Sequence, residues 1–313
     1  MENIILAFKV VFPILVYISL GYFFKSIKLY DTKGIKVVND LVFKLFLPCL
    51  LFYNIYTTKV DEILNIPFII YAISFVVIMF IILMVTVPFF IRDNSKCGVF
   101  IQGIFRSNFV LFGLPVSTTL LSEGNAGLTS LSIAFIVPLY NVLAVICLER
   151  FRKNKVNFWA IIKGILKNPL IIASALGVVF LVLDIKMPDF CGNVVRDLSR
   201  VATPLALVGL GGSFTFSAIK GNTLKLMFLL LFKLLIVPFT AIFLGAYVFG
   251  FEGAAIVTLI SAFASPTAVS SFTMAQSMGG DSDLAAQTVV FTSVFSILTV
   301  FFIVAVTKSL NLF

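Results

Sequence analysis

Two stretches decide the reading of this sequence: Gly98–Gly124, GVFIQGIFRSNFVLFGLPVSTTLLSEG, and Gly253–Gly280, GAAIVTLISAFASPTAVSSFTMAQSMGG. Each is an apolar run with a proline near its middle. Gly113 precedes Pro115 and Ser117 to Thr119 follow it, while Ser265 and Thr267 bracket Pro266. Proline removes a backbone donor, and its ring clashes with the carbonyl four residues back. Inside a bilayer the freed groups must find a partner or border a cavity. Proline also suits the first residue of a helix. Each stretch is therefore expected to be two half-helices, the second starting at Pro115 or Pro266, with its positive end near mid-membrane. One such proline would read as a plain kink. Two at matched positions favour an anion site between the half-helix ends.

The bilayer setting follows from composition. Of 313 residues, 60% are hydrophobic and 12% charged, and the mean hydropathy is +1.13. A soluble domain carries about 45–50% apolar and about 25% charged residues. A soluble enzyme, a disordered chain and a collagen-like fibre are excluded. There is no histidine, which removes histidine catalysis, ligation and proton relays. Cys49, Cys97, Cys147 and Cys191 are far apart and form no CxxC, so they read as scattered thiols. No metal, cofactor or catalytic residue is expected. No GxxxxGK[ST] phosphate loop is present, so ATP-driven transport is not expected.

Cut at charge and turn clusters, the apolar runs are 5–24, 35–56, 64–91, 98–122, 127–149, 169–184, 193–217, 222–249, 252–279 and 284–307, ten in all. The first reads as a retained helix, not a signal peptide. The net charge of +9 sits in short gaps between runs, so the partner it implies is membrane lipid and not nucleic acid. Lys25, Lys28, Lys33, Lys36, Arg92, Lys96, Arg150, Arg152, Lys153, Lys155 and Lys220 fall on one side. Lys59 and Lys186, with Lys308 at the C-terminus, fall on the other. Both termini are therefore expected outside a plasma (inner) membrane. The stretch 150–168 reads either as an amphipathic interfacial helix or as an ordinary positive-inside loop.

The prolines also reveal an internal repeat. Val37 to Leu41 and Val194 to Leu198 share a VVxDL string, followed by Pro48 and Pro204. Pro88 and Pro238 each sit in a Val-Pro-Phe tripeptide, and Pro115 and Pro266 complete the series. Residues 1–150 are expected to form one five-helix repeat, 151–168 a basic cytoplasmic linker and 169–313 a second repeat. Five is odd, so the second repeat is inverted, an arrangement typical of secondary transporters.

Polar residues inside the runs are few. Arg106 and Asn108 precede the fourth-run proline, and Asn141 lies in the fifth run. One reading is that Asn108 hydrogen-bonds a substrate and Arg106 balances its charge; the other is that Arg106 snorkels to an interface. Asn141 lines the cavity or bonds a neighbouring helix. Asp40 and Lys44 are spaced to pair on one helix face. Lys233 is expected to reach an edge or a polar partner, and Gln276, Ser270 and Ser271 are further cavity candidates. No carboxylate lies at mid-run, which argues for an anion or neutral solute over cation–proton exchange.

The span Asn108 to Pro115, an Asn followed by GxP, resembles the fourth helix of the auxin efflux carrier family. Pro266 with its small-residue stretch, then Gly279-Gly280-Asp281, and Pro48 in LPCLLF agree with it across essentially the whole chain. The resemblance implies an all-α polytopic protein of ten transmembrane helices in two inverted five-helix repeats. Broken helices 4 and 9 would cross as in sodium–proton antiporters and bile-acid symporters. It implies elevator-type transport of a small organic anion, with Asn108, Gly113, Pro115, Ser265, Pro266 and Thr267 at the substrate carboxylate. Unlike plant members, this chain has only the short gap 150–168 and no long hydrophilic loop. Its oligomeric state is open, a homodimer included.

Overall fold

The computed structural model describes residues 2–57, 65–121, 126–152, 166–215 and 218–313. Among these the chain is helical, with no strand. The helices are α1 (Glu2–Ser26), α2 (32–56), α3 (Ile66–Phe90), α4 (Asn94–Phe105), α5 (109–121) and α6 (Gly127–Arg152). They continue as α7 (Pro169–Val182), α8 (Asp189–Ser213), α9 (219–248), α10 (254–264), α11 (Ser270–Met278) and α12 (Ser282–Ser309). Among the described residues five stretches are long and apolar enough to cross a bilayer: Ile66–Phe90, Asn94–Leu121, Gly127–Arg152, Gly221–Val248 and Ser282–Ser309. Phe89, Phe90 and Val182 are largely exposed, an outer surface suited to lipid and not to water. The interfacial helix expected over 150–168 falls mainly on residues outside those described.

Short polar residues set where helices start. Asp31, Asn65, Asp93, Asn168 and Asp281 each accept a hydrogen bond from a backbone N–H in the first turn of α2, α3, α4, α7 and α12. That satisfies donors which otherwise have no intrahelical partner. Asp40 and Lys44 do pair, at 3.7 Å, but both are exposed, so the pair adds little stability.

Proline acts differently from the expectation. Four π-helical turns, Val42–Phe46, Phe109–Gly113, Phe232–Ile236 and Ile260–Ala264, each end two residues before a proline: Pro48, Pro115, Pro238 and Pro266. The wider i to i+5 turn makes room for the pyrrolidine ring against the preceding carbonyls. Only at Pro266 does the helix then stop. Before Pro115 the break lies earlier, at residues 106–108, and α5 starts at Phe109, not at Pro115.

Packing gathers the helices into two groups that also touch each other, most closely through α1 on α12. In the first, α1 lies along α8, and α2 packs against both α7 and α8. The α1–α8 contact is backbone to backbone: a Cβ added at Gly21 would come 2.0 Å from the Val208 carbonyl oxygen, and one at Gly211 would come 2.0 Å from that of Ile18. Small residues make such contacts possible where van der Waals packing drives association. In the second group α4 packs on α3 and α6, α9 and α10 pack on each other and on α12, and α11 packs on α12, α4 and α6. The broken stretch Asn94–Leu121 is the most enclosed of the five candidate spans.

Candidate anion site at the helix breaks

The two breaks meet. The Asn108 N–H donates to the Pro266 carbonyl at 2.8 Å, so one interrupted helix satisfies the other. Thr267 reinforces the junction. Its hydroxyl donates to the Gly103 carbonyl at 2.7 Å, and its N–H donates to Thr292 Oγ1 at 3.1 Å. Gly103 lies in the last turn of α4, where carbonyls lack intrahelical partners, so Thr267 acts as a cap supplied from another helix. Ser265 turns back to the Ser261 carbonyl. Gly113 is where α5 passes α10: a Cβ there would lie 2.4 Å from the Ser261 carbonyl oxygen.

Beside this junction is a small cavity of about 60 Å³, room for a few waters. The breaks contribute Arg106, Ser107 and Asn108, the first turns of α5 and α11 contribute Val110 and Ser270, and α6 contributes Tyr140 and Asn141. The facing wall comes from α2 and α8 through Leu47, Leu50, Leu51 and Ala206, together with Asn54 and Thr203. The cavity therefore sits between the two helix groups, with most of its polar groups on one side and a mainly apolar wall on the other. Two helix N-termini border it, and both favour negative charge.

Arg106 does not snorkel; it is 3% exposed. Its guanidinium donates to Asn141 Oδ1 at 2.5 Å, to Ser270 Oγ at 2.7 Å and to Met274 Sδ. A guanidinium has only donors, so Asn141 must present its oxygen to Arg106 and aim its NH₂ elsewhere. Three buried polar atoms lining the cavity have no partner: Asn108 Nδ2, Asn141 Nδ2 and Tyr140 Oη. All three can donate. Lys233 of α9 is fully buried and donates to Ser107 Oγ. None of the ion pairs among the described residues involves Arg106 or Lys233. Each charge at bilayer centre costs about 2.5–3.5 kcal/mol on insertion scales, a cost that packing alone does not explain.

Of the residues expected at the site, the fold brings Arg106, Asn108 and Asn141 into one cavity, together with the further candidate Ser270. Gly113, Pro115, Ser265, Pro266 and Thr267 do not line it: Gly113 sets the α5–α10 contact, Pro266 and Thr267 join the two breaks, Ser265 bonds back to Ser261, and Pro115 lies within α5 after its π turn. Gln276 lies apart from it, accepting a hydrogen bond from Asn39 of α2 and so tying the two helix groups together. The sequence reading missed Ser107 and Tyr140; of its two readings of Lys233, an edge or a polar partner, the structure gives the polar partner, Ser107. Ser107 and Tyr140 were within view as neighbours of Arg106, Asn108 and Asn141.

An all-helical chain with long apolar spans, interrupted helices that pair at their breaks and a buried cationic cavity define a membrane transport protein. The family model described as membrane transport protein matches residues 6–304, and the chain belongs to that family, which is the auxin efflux carrier family. It is 23% identical over 301 residues to an uncharacterized transporter of Methanocaldococcus jannaschii, covering 93% of this chain and 96% of that protein. It is 22% identical over 299 residues to a Rhizobium meliloti protein named "Putative malonate transporter", covering 93% of this chain and 92% of that protein.

Proposed function

We propose that this protein is a secondary transporter of a small organic anion, a carboxylate, in the plasma (inner) membrane. The observation that carries this is the cavity's chemistry. Its unpartnered buried atoms, Asn108 Nδ2, Asn141 Nδ2 and Tyr140 Oη, can all donate and surround an Arg106 that has no carboxylate partner. A carboxylate offers about four acceptor sites and one negative charge, which is what this set lacks. The Rhizobium meliloti relative is named "Putative malonate transporter", and malonate is a dicarboxylate.

The motion that fits is an elevator. Helices α3–α6 and α9–α12 would carry the anion past α1, α2, α7 and α8, whose Leu47, Leu51 and Ala206 offer a mainly apolar sliding face. In this reading α1 to α6 are five spans and α7 to α12 five more, inverted, with both termini outside. The matched π turns before Pro115 and Pro266 support that pairing. An anion leaving a negative interior gains about 2.3 kcal/mol per charge per 100 mV, so no ATP is required.

The test is flux into proteoliposomes of a panel of radiolabelled acetate, lactate, malonate, malate and succinate. At least one is expected to move, with Asn108→Ala lowering the flux about tenfold, the worth of a hydrogen bond to a charged group. Failure of every carboxylate to move refutes the proposal. Strict dependence on Na⁺ would replace uniport with cation coupling on the same scaffold.

A further inference from the structure

Lys233 is the one lysine among the described residues that is wholly buried, yet its amine does not line the cavity. It belongs to the π turn Phe232–Ile236, against which α4, α10 and α12 pack. Those three helices offer it no acid except Asp283, in the first turn of α12, and Asp283 already accepts from Thr215. What Lys233 does contact is Ser107, which lies between Arg106 and Asn108 in the break and lines the cavity.

We propose that Ser107 binds the transported anion directly and that Lys233 is the positioning residue that aims its hydroxyl. A serine hydroxyl has one proton to give and two lone pairs. The lysine donates into one lone pair, which turns the hydroxyl proton away from α9. Ser107 lines the cavity and Lys233 does not, so that proton is free to point into the cavity, where the Tyr140 hydroxyl lies beside it. When a carboxylate enters, the Ser107 O–H donates to it alongside Asn108 and Asn141. Donation from a cationic amine polarises the serine O–H, and hydrogen bonds in such a chain strengthen one another. A break held open by Pro266 alone would need no lysine. A break that must present a hydroxyl in a fixed direction does.

The inference rests on the proposed transport of a carboxylate, and the same vesicles test both. Initial rates are measured with radiolabelled acetate and malonate across a concentration series, for wild type, Ser107→Ala, Lys233→Met, Lys233→Gln and the double variant Ser107→Ala/Lys233→Met. Both Ser107→Ala and Lys233→Met are expected to raise KM about tenfold and leave the maximal rate within about twofold. The double variant should be no worse than the poorer single one, because both remove the same bond to the anion. Lys233→Gln keeps an N–H donor and should recover part of the loss. Multiplying penalties in the double variant, a loss confined to the maximal rate, or wild-type KM in Lys233→Met overturns the assignment while leaving carboxylate transport intact. A wild type that moves neither acetate nor malonate, nor any other member of the panel, refutes the transport reading and this inference with it.

Discussion

Gly113→Ala tests the geometry of the crossing most directly. The added methyl carbon would stand 2.4 Å from the Ser261 carbonyl oxygen and 2.7 Å from Phe109 Cδ2. The Phe109 ring can turn, but the Ser261 carbonyl is backbone within the π turn Ile260–Ala264. Ordinary contact begins near 3.4 Å, so α5 and α10 must part by about 1 Å, an overpacking that costs about 1–3 kcal/mol. The same displacement would stretch the 2.8 Å bond from Asn108 to the Pro266 carbonyl beyond bonding distance. Gly113→Ala should therefore lower the melting temperature in detergent by several degrees and reduce carboxylate flux together with it. Gly98→Ala is the matched control, because its nearest neighbours would be 3.5 Å away and nothing needs to move. Thermal unfolding followed by the protein's intrinsic fluorescence, with flux on the same preparations, makes the measurement. A Gly113→Ala protein as stable and active as the Gly98→Ala control refutes the claim that backbone contact fixes this crossing.

Arg106→Gln keeps an amide donor for Asn141 Oδ1 but removes the buried charge. Flux should fall at least about tenfold while the melting temperature holds or rises, since an unpaired buried cation is costly to the fold; a large loss of stability would mean that Arg106 is structural. Thr267→Val deletes the hydroxyl that caps Gly103 and should cost about 1–3 kcal/mol of stability, whereas Thr267→Ser should stay near wild type. Equal melting temperatures for the two Thr267 variants would show that the cap contributes nothing.

Membrane class and the two interrupted helices were legible in the chain itself. A bilayer solvent forces backbone self-satisfaction, so a proline flanked by small and polar residues at mid-run marks a stretch where the helix is liable to fail. Arg106, Asn108 and Asn141 were legible for the same reason, as rare polar groups in apolar runs. The location of the first break was not legible. Pro115 is absorbed by the π turn Phe109–Gly113, and the helix instead opens at residues 106–108, where the chain gains the Pro266 carbonyl as a partner.

The sequence by itself therefore determined the solvent, the helical class and the small set of buried polar groups, because composition and local sterics act within a few residues. Tertiary structure decided where the fourth-run helix breaks and which donors are left without partners. It also decided that Lys233 turns inward to Ser107. Each of those depends on a carbonyl, hydroxyl or close-packed backbone brought in from another helix, and no window along the chain contains both partners.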